Sequence, residues 1–158
     1  MRIFITFILL LITIGADQYS KYWFVQHFTL HESKILFPGF AWTLVYNHGA
    51  AFGLLGNGFI WQKVLLSTIA IIVSAVLFCL IVNQKISKLE RVAYFCVCAG
   101  ALGNLIDRIR QGYVVDFIDW YYQTWHWPAF NVADILICFG AFLLAVSWLP
   151  FCKKSAHT

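Results

Sequence analysis

Four stretches of this chain carry no charged side chain, and together they limit what it can fold into. Val64–Val82 runs nineteen residues, Ile135–Leu149 fifteen, Ile3–Ala16 fourteen and Val92–Gly103 twelve. A helix needs about 20 residues to cross the hydrocarbon core of a bilayer. Only Val64–Val82 approaches that by itself. The other three reach it by taking in the polar residues at their ends. At about 1.5 Å rise per residue, twelve apolar residues cover roughly 18 Å of a core about 30 Å thick. Asp17, Asn104, Asp107 and Asp134 end or open these stretches. They are therefore expected inside the hydrocarbon zone or at its edge, where a carboxylate is costly and reads as functional.

Composition agrees. Charged residues make up 11 % of the chain, aromatics 18 %, and the mean hydropathy is +0.77. Average soluble proteins carry about 25 % charge. So few charges cannot cover the surface of a soluble domain of 158 residues. The net charge of +4 is weak and dispersed, which suits membrane-flanking loops and argues against a nucleic-acid partner. The expected fold class is an all-α integral membrane protein: one domain, residues 1–158, built as a four-transmembrane-helix bundle. The spans fall at about 3–22, 61–82, 91–110 and 131–150, with longer loops at about 23–60 and 111–130. Met1-Arg2 followed by Ile3–Ala16 resembles a secretory signal but lacks a small-x-small cleavage site, so it is read as a retained first span.

Counting spans places the polar ends together. If the first span runs outward, Asp17 is at its outer end. The third finishes outward at Asn104–Arg110, and the fourth begins there at Asn131–Asp134. The short loop Gln84–Arg91 carries Lys85, Lys88 and Arg91, and the termini carry Arg2, Lys153 and Lys154. The positive-inside rule weights such short loops. It puts both termini in the cytoplasm and the polar level outside. In the first outer loop, Pro38-Gly39 precedes the strand-like Trp42–Tyr46. In the second, Trp120, Tyr121, Tyr122, Trp125 and Trp127 read as an aromatic belt at the headgroups.

All five aspartates, Asp17, Asp107, Asp116, Asp119 and Asp134, fall on that outer side. Asp17 and Lys21 are four apart and pair on one helix face. Asn104, Asp107 and Arg108 share another face, and Asp107 has the adjacent Arg108 to neutralise it. Asn131 and Asp134 are three apart, and Asp134 can cap its helix. Asp116 sits in an apolar setting outside the helices. Asp119 sits in an aromatic loop where water can solvate it. Two carboxylates brought together in a low-dielectric pocket share one proton, the arrangement of aspartic proteases. One then acts on water as a base while the other polarises a carbonyl. Position alone leaves open which aspartates pair. Ser67 and Ser74 have no nearby base, and no GxSxG occurs. The five histidines, His27, His31, His48, His126 and His157, have no metal-ligand spacing, and His126 reads as a belt residue beside Asp119. The five cysteines show no CxxC and read as apolar packing residues. No metal site is expected from these spacings. Intramembrane carboxylates also mark ion pathways, so a small transporter or proton-conducting subunit is the rival reading. Its inner half would need polar groups, and Ile3–Ala16 and Val64–Val82 have no ionisable one.

Five blocks occur in order along nearly the whole chain. They are Asp17-Gln18 with Lys21, Asn47-His48-Gly49-Ala50-Ala51-Phe52-Gly53, Gly100–Arg108, Gly112–Phe117, and Phe130-Asn131-Val132-Ala133-Asp134. With them the sequence resembles the lipoprotein signal peptidases, also called signal peptidase II. The resemblance implies that Asp116 and Asp134 are the catalytic pair. It implies supporting, substrate-side roles for Asp17, Lys21, Asn47, Asn104, Arg108 and Asn131. It implies a small extracytoplasmic β-cradle with a surface helix over the bundle. The substrates would be prolipoproteins whose lipobox cysteine already carries diacylglycerol, cut just before that cysteine. The enzyme would be a cofactor-free monomer in membrane lipid of the bacterial inner membrane, and a target of the cyclic peptide antibiotic globomycin.

Overall fold

The computed structural model describes residues 2–49, 60–83 and 86–149. The elements in chain order are α1 (Arg2–His27), β1 (Ser33–Phe37), β2 (Phe40–Asn47), α2 (Ile60–Val82), α3 (Lys88–Gln111), β3 (Val114–Tyr122), β4 (Trp125–His126) and α4 (Val132–Ser147). Three of the helices, α1, α2 and α3, are long and apolar enough to cross a membrane. The fourth, α4, is a shorter apolar helix. Isoleucines, leucines and phenylalanines cover the outward faces of α1 and α2: Phe4 is 69 % exposed and Ile72 57 %. Water does not tolerate so continuous an apolar surface, whereas lipid does.

The central helix is α3, which packs against α2 on one side and α4 on the other. Half of its apolar window is buried, against 11 % for α1 and for α2. It is firmly delimited. Ser87 and Glu90 form a capping box at its start, and Gly112 closes it in the left-handed region at φ 86°, donating its N–H to the Arg108 carbonyl. The contact with α4 is close because small residues form it. A Cβ on Gly100 would strike the Ala133 carbonyl, and one on Gly140 would lie 2.6 Å from the Ala93 carbonyl oxygen. Gly103 belongs to the same contact, since a Cβ there would lie 3.3 Å from the Ala133 Cβ.

Beyond the bundle, the four strands form one antiparallel sheet in the order β1-β2-β3-β4. Gly39, at φ 92°, makes the β1–β2 turn, and the strand expected at Trp42–Tyr46 is β2. The second outer loop differs from its expectation. Beside the aromatic residues, which stay exposed at Trp120, Tyr122, Trp125 and Trp127, the loop holds an unexpected strand, β3, buried from Val114 to Asp119. Its register sets Val45 opposite Asp116 and Asn47 opposite Val114. The end of α1 holds the sheet: Phe24 and Phe28 join Leu44, Val115, Phe117 and Ile118 in one apolar core, with Phe24 stacked on Phe117 at 4.1 Å. Among the described residues no surface helix accompanies the sheet. The block residues Ala50–Gly53, the inner-loop Lys85, and Cys152, Lys153 and Lys154 lie outside the described residues.

Candidate active site

Where the sheet meets the helices there is a cavity of about 1080 Å³. Its polar wall includes Asn47, Asn104, Arg108, Asp116 and Asp134, and its apolar walls come from α2, α3, α4 and the Trp127–Phe130 segment. Asp116 and Asp134 therefore meet on one cavity although one is on a strand and the other on a helix. Asp17, Lys21 and Asn131 stand behind that wall, each nearly or wholly buried. They are in a position to hold the cavity residues and not to touch a ligand in it.

Each catalytic candidate is held by amides. Asp116 accepts from Asn47 Nδ2 at 3.0 Å and from Asn131 Nδ2 at 2.6 Å. Asp134 accepts from Asn104 Nδ2 at 2.8 Å and from the Asn131 backbone N–H at 3.1 Å. Asn131 thus contacts both carboxylates. Its own orientation is fixed, because its Oδ1 accepts the Asp134 backbone N–H at 3.0 Å and its Nδ2 must then face Asp116 and Asn104. Asn104 is fixed likewise. Its Oδ1 accepts from Lys21 Nζ at 2.9 Å, and a lysine only donates, so the amide nitrogen must point at Asp134. Asp134 was expected as a helix cap. Asn131 is the N-cap, and Asp134 at the third position closes a capping box.

Lys21 pairs with Asp17 at 2.9 Å, as their spacing predicts, and also with Asp107 at 3.0 Å. Asp107 is therefore neutralised from α1 and not by its neighbour Arg108. Adjacent helix residues point apart, so Arg108 turns to the cavity wall and donates to the Gly49 carbonyl at 3.2 Å. Gln18, to which sequence reasoning gave no role, donates to Asp107 at 2.9 Å and to the Gly103 carbonyl at 3.1 Å. Its signal was an amide adjoining an aspartate at the level where Asp107 also lies.

Two further expectations change. Asp119 is not solvated: it is 5 % exposed, accepts from Thr43 Oγ1 at 2.9 Å and meets His126 Nδ1 at 2.9 Å. His126, expected as a belt residue, is thus also a hydrogen-bond partner of Asp119. The clasp fastens the Trp125–Phe130 segment to β3, away from the carboxylate pair. Among the described residues no cluster of histidine, cysteine, aspartate or glutamate is arranged to hold a metal ion.

Asp116 is 1 % exposed. Burial, reinforced by the Asp134 charge, pushes its carboxyl up to about 7, against the opposing pull of the Asn47 and Asn131 amides and of Lys21. The wider cluster holds four carboxylates, those of Asp17, Asp107, Asp116 and Asp134, and two cations, Lys21 and Arg108. An excess of buried negative charge is relieved by keeping one proton, and Asp116 is suited to carry it. A buried acid beside a second carboxylate, on a cavity with room for a peptide, can activate water and polarise a peptide carbonyl.

The family model described as signal peptidase (SPase) II matches residues 9–150. A lipoprotein signal peptidase of Shewanella pealeana is 50 % identical over 131 residues, spanning 82 % of this chain and 76 % of that protein. One from Histophilus somni is 46 % identical over 132 residues, spanning 83 % of this chain and 80 % of that protein. Among solved structures, a bacterial membrane enzyme determined by the in meso method at 2.3 Å resolution superposes with a TM-score of 0.79 at 29 % identity. That match covers 90 % of this chain and 85 % of the other.

Proposed function

The chain belongs to the signal peptidase II family, and from that premise we propose that it removes signal peptides from prolipoproteins by aspartic catalysis at Asp116 and Asp134. The observation that carries the reading is Asn131, one buried residue that donates to Asp116 through its side-chain amide and to Asp134 through its backbone N–H, behind the wall of a peptide-sized cavity. Asp116 holds the shared proton near neutral pH and donates it towards the scissile carbonyl. Ionised Asp134 takes a proton from the attacking water. The carbonyl oxygen takes the Asp116 proton as hydroxide adds to the carbon; when the C–N bond breaks, the Asp134 proton goes to the leaving amine and a gem-diol hydroxyl returns its proton to Asp116. Asn47, Asn104 and Asn131 orient the two carboxylates, while Arg108 contributes a cation to the cavity wall.

The substrate would be a prolipoprotein with a diacylglyceryl-modified lipobox cysteine, cut just before that cysteine. The cavity supports this, because α2, α3 and α4 give it apolar walls through Ile69, Val73, Val97 and Ile137, suited to an apolar signal segment and lipid chains. With α4 as the fourth span, residues 1–158 form one monomeric domain in the bacterial inner membrane. Both termini are then cytoplasmic, the sheet extracytoplasmic, and the carboxylates near the outer leaflet. The positive residues of the short α2–α3 loop and the shared end of all the polar intrusions support that orientation.

The test is processing of a diacylglyceryl-modified prolipoprotein by purified Asp116→Asn and Asp134→Asn proteins that retain the wild-type unfolding temperature. Each is expected to lose cleavage by at least about 10³-fold, the scale for removing a group essential to proton transfer. Normal cleavage by both would exclude the aspartic reading. A proton flux in liposomes dependent on Asp134 would point to transport instead.

A further inference from the structure

Each catalytic aspartate is preceded in sequence by a residue whose backbone N–H is held by another aspartate. Val115 N–H donates to Asp107 Oδ2 at 3.2 Å, immediately before Asp116. Ala133 N–H donates to Asp17 Oδ1 at 2.9 Å, immediately before Asp134. The two holding aspartates share one cation. Lys21 Nζ lies 2.9 Å from Asp17 Oδ2 and 3.0 Å from Asp107 Oδ2. The same ammonium donates its third bond to Asn104, which orients Asp134. Three donors on one nitrogen thus meet three acceptors, which fully satisfies a lysine that is 2 % exposed.

We propose that Asp17, Lys21 and Asp107 form a positioning clamp that sets the separation of Asp116 and Asp134. The inference rests on the aspartic reading above and extends it to residues that do not touch substrate. The geometry has a mechanical logic. Asp116 lies on β3 and Asp134 on α4, so no shared element fixes their spacing. The clamp ties the backbone beside each one to a single point on α1. A buried charge-assisted network has little freedom, since losing any member strands another charge in a low dielectric. Gly103 is part of the fit: a Cβ there would lie 2.6 Å from Asp17 Oδ2, so any side chain would displace the arm that holds Ala133. Gln18 braces the other arm through Asp107 Oδ1.

The clamp predicts a kinetic signature that a general loss of stability does not produce. The cavity-lining residues are untouched, so substrate binding persists while the reacting groups move apart. Misplacement of reacting groups by about 1 Å can cost on the order of 10²-fold in rate. The full-length protein in lipid, assayed on a diacylglyceryl-modified prolipoprotein, is the test. Asp17→Asn and Asp107→Asn are each expected to lower kcat between about tenfold and a hundredfold with KM changed less than about twofold. The double variant is expected to fall little below the worse single one, because both arms end on Lys21 and act as a unit. Gly103→Ala, which changes no charge, is expected to reproduce the kcat loss of Asp17→Asn.

Wild-type kcat in the single variants, a change confined to KM, or effects that multiply in the double variant would overturn the clamp. If Asp107→Asn lowers the unfolding temperature severely, Asp107→Glu decides the matter, since it retains the charge for Lys21 but displaces the acceptor of Val115 N–H. Wild-type kcat there would equally overturn the proposal. Asp116→Asn and Asp134→Asn serve as controls. If they still cleave, the aspartic reading fails. If they are dead while the clamp variants behave as wild type, only the clamp fails.

Discussion

At Asp116 the surroundings determine the chemistry. An ordinary aspartate ionises near 3.9, and this one is held up to about 7 by burial and by the Asp134 charge. Between roughly pH 4 and 7 the folded protein keeps a proton that the unfolded chain has released. Stability from this group is therefore full below about pH 4, falls as pH rises through the window, and is flat above it. The unfolding temperature measured from pH 4 to 8 should thus decline less steeply in Asp116→Asn than in the wild type. Catalysis carries the same signature. If Asp116 donates the shared proton, kcat/KM should fall above about pH 7 as that proton is lost. A profile flat to pH 9 would contradict the assignment. The polar residues at the ends of uncharged runs were conspicuous in sequence because each is anomalous there. Position did not single out the pair that the family resemblance implies, since Asp107 and Asp119 stand out as well. What sets those two apart is that Lys21 occupies Asp107 and His126 occupies Asp119, contacts between residues far apart or in unpredicted strands.

At the level of elements, α4 depends on Asn131 in two separable ways. Its side chain caps the helix by accepting the Asp134 N–H, and its amide donates to Asp116. Asn131→Ala should lose both, costing about 1 kcal/mol through the cap, with a further penalty from the unpaired neighbours. Asn131→Ser should retain most of the cap but lack the donor to Asp116. A hydrogen bond to a neutral carboxyl contributes about 0.5–1.5 kcal/mol, so both variants should lose roughly two- to tenfold in kcat. Only the alanine variant should melt markedly lower in a thermal scan, and equal melting losses would argue that the cap is not separable. The helices were legible because runs without charge persist over many residues, and β2 because a Pro-Gly turn precedes a β-branched and aromatic run. β3 was not. It is buried from Val114 to Asp119 whichever way successive side chains point. It therefore lacks the apolar–polar alternation that marks a half-exposed strand, and its aspartates interrupt the apolar run as well.

On the scale of the whole molecule, the cavity reaches from the carboxylates along α2 and α4 into the apolar bundle. Ala101 on α3 lines it without belonging to the polar wall. Ala101→Phe should fill part of that space and raise KM about tenfold, equivalent to about 1.4 kcal/mol of binding, with kcat and unfolding temperature nearly unchanged. An unaltered KM would place the signal segment elsewhere.

The brevity of α4 has its own consequence. Its 16 residues rise about 24 Å, whereas a typical hydrocarbon core is about 30 Å thick. A span shorter than the lipid around it is accommodated by local thinning of the bilayer, at a cost that grows with each ångström of mismatch. With α4 crossing as proposed, the membrane would be dimpled beside Asp134, and headgroups and water would be drawn down towards the carboxylates. Acyl-chain length then becomes a control on the enzyme: short-chain vesicles relieve the mismatch, and long-chain ones increase the work of bringing a lipid-anchored cysteine to the site.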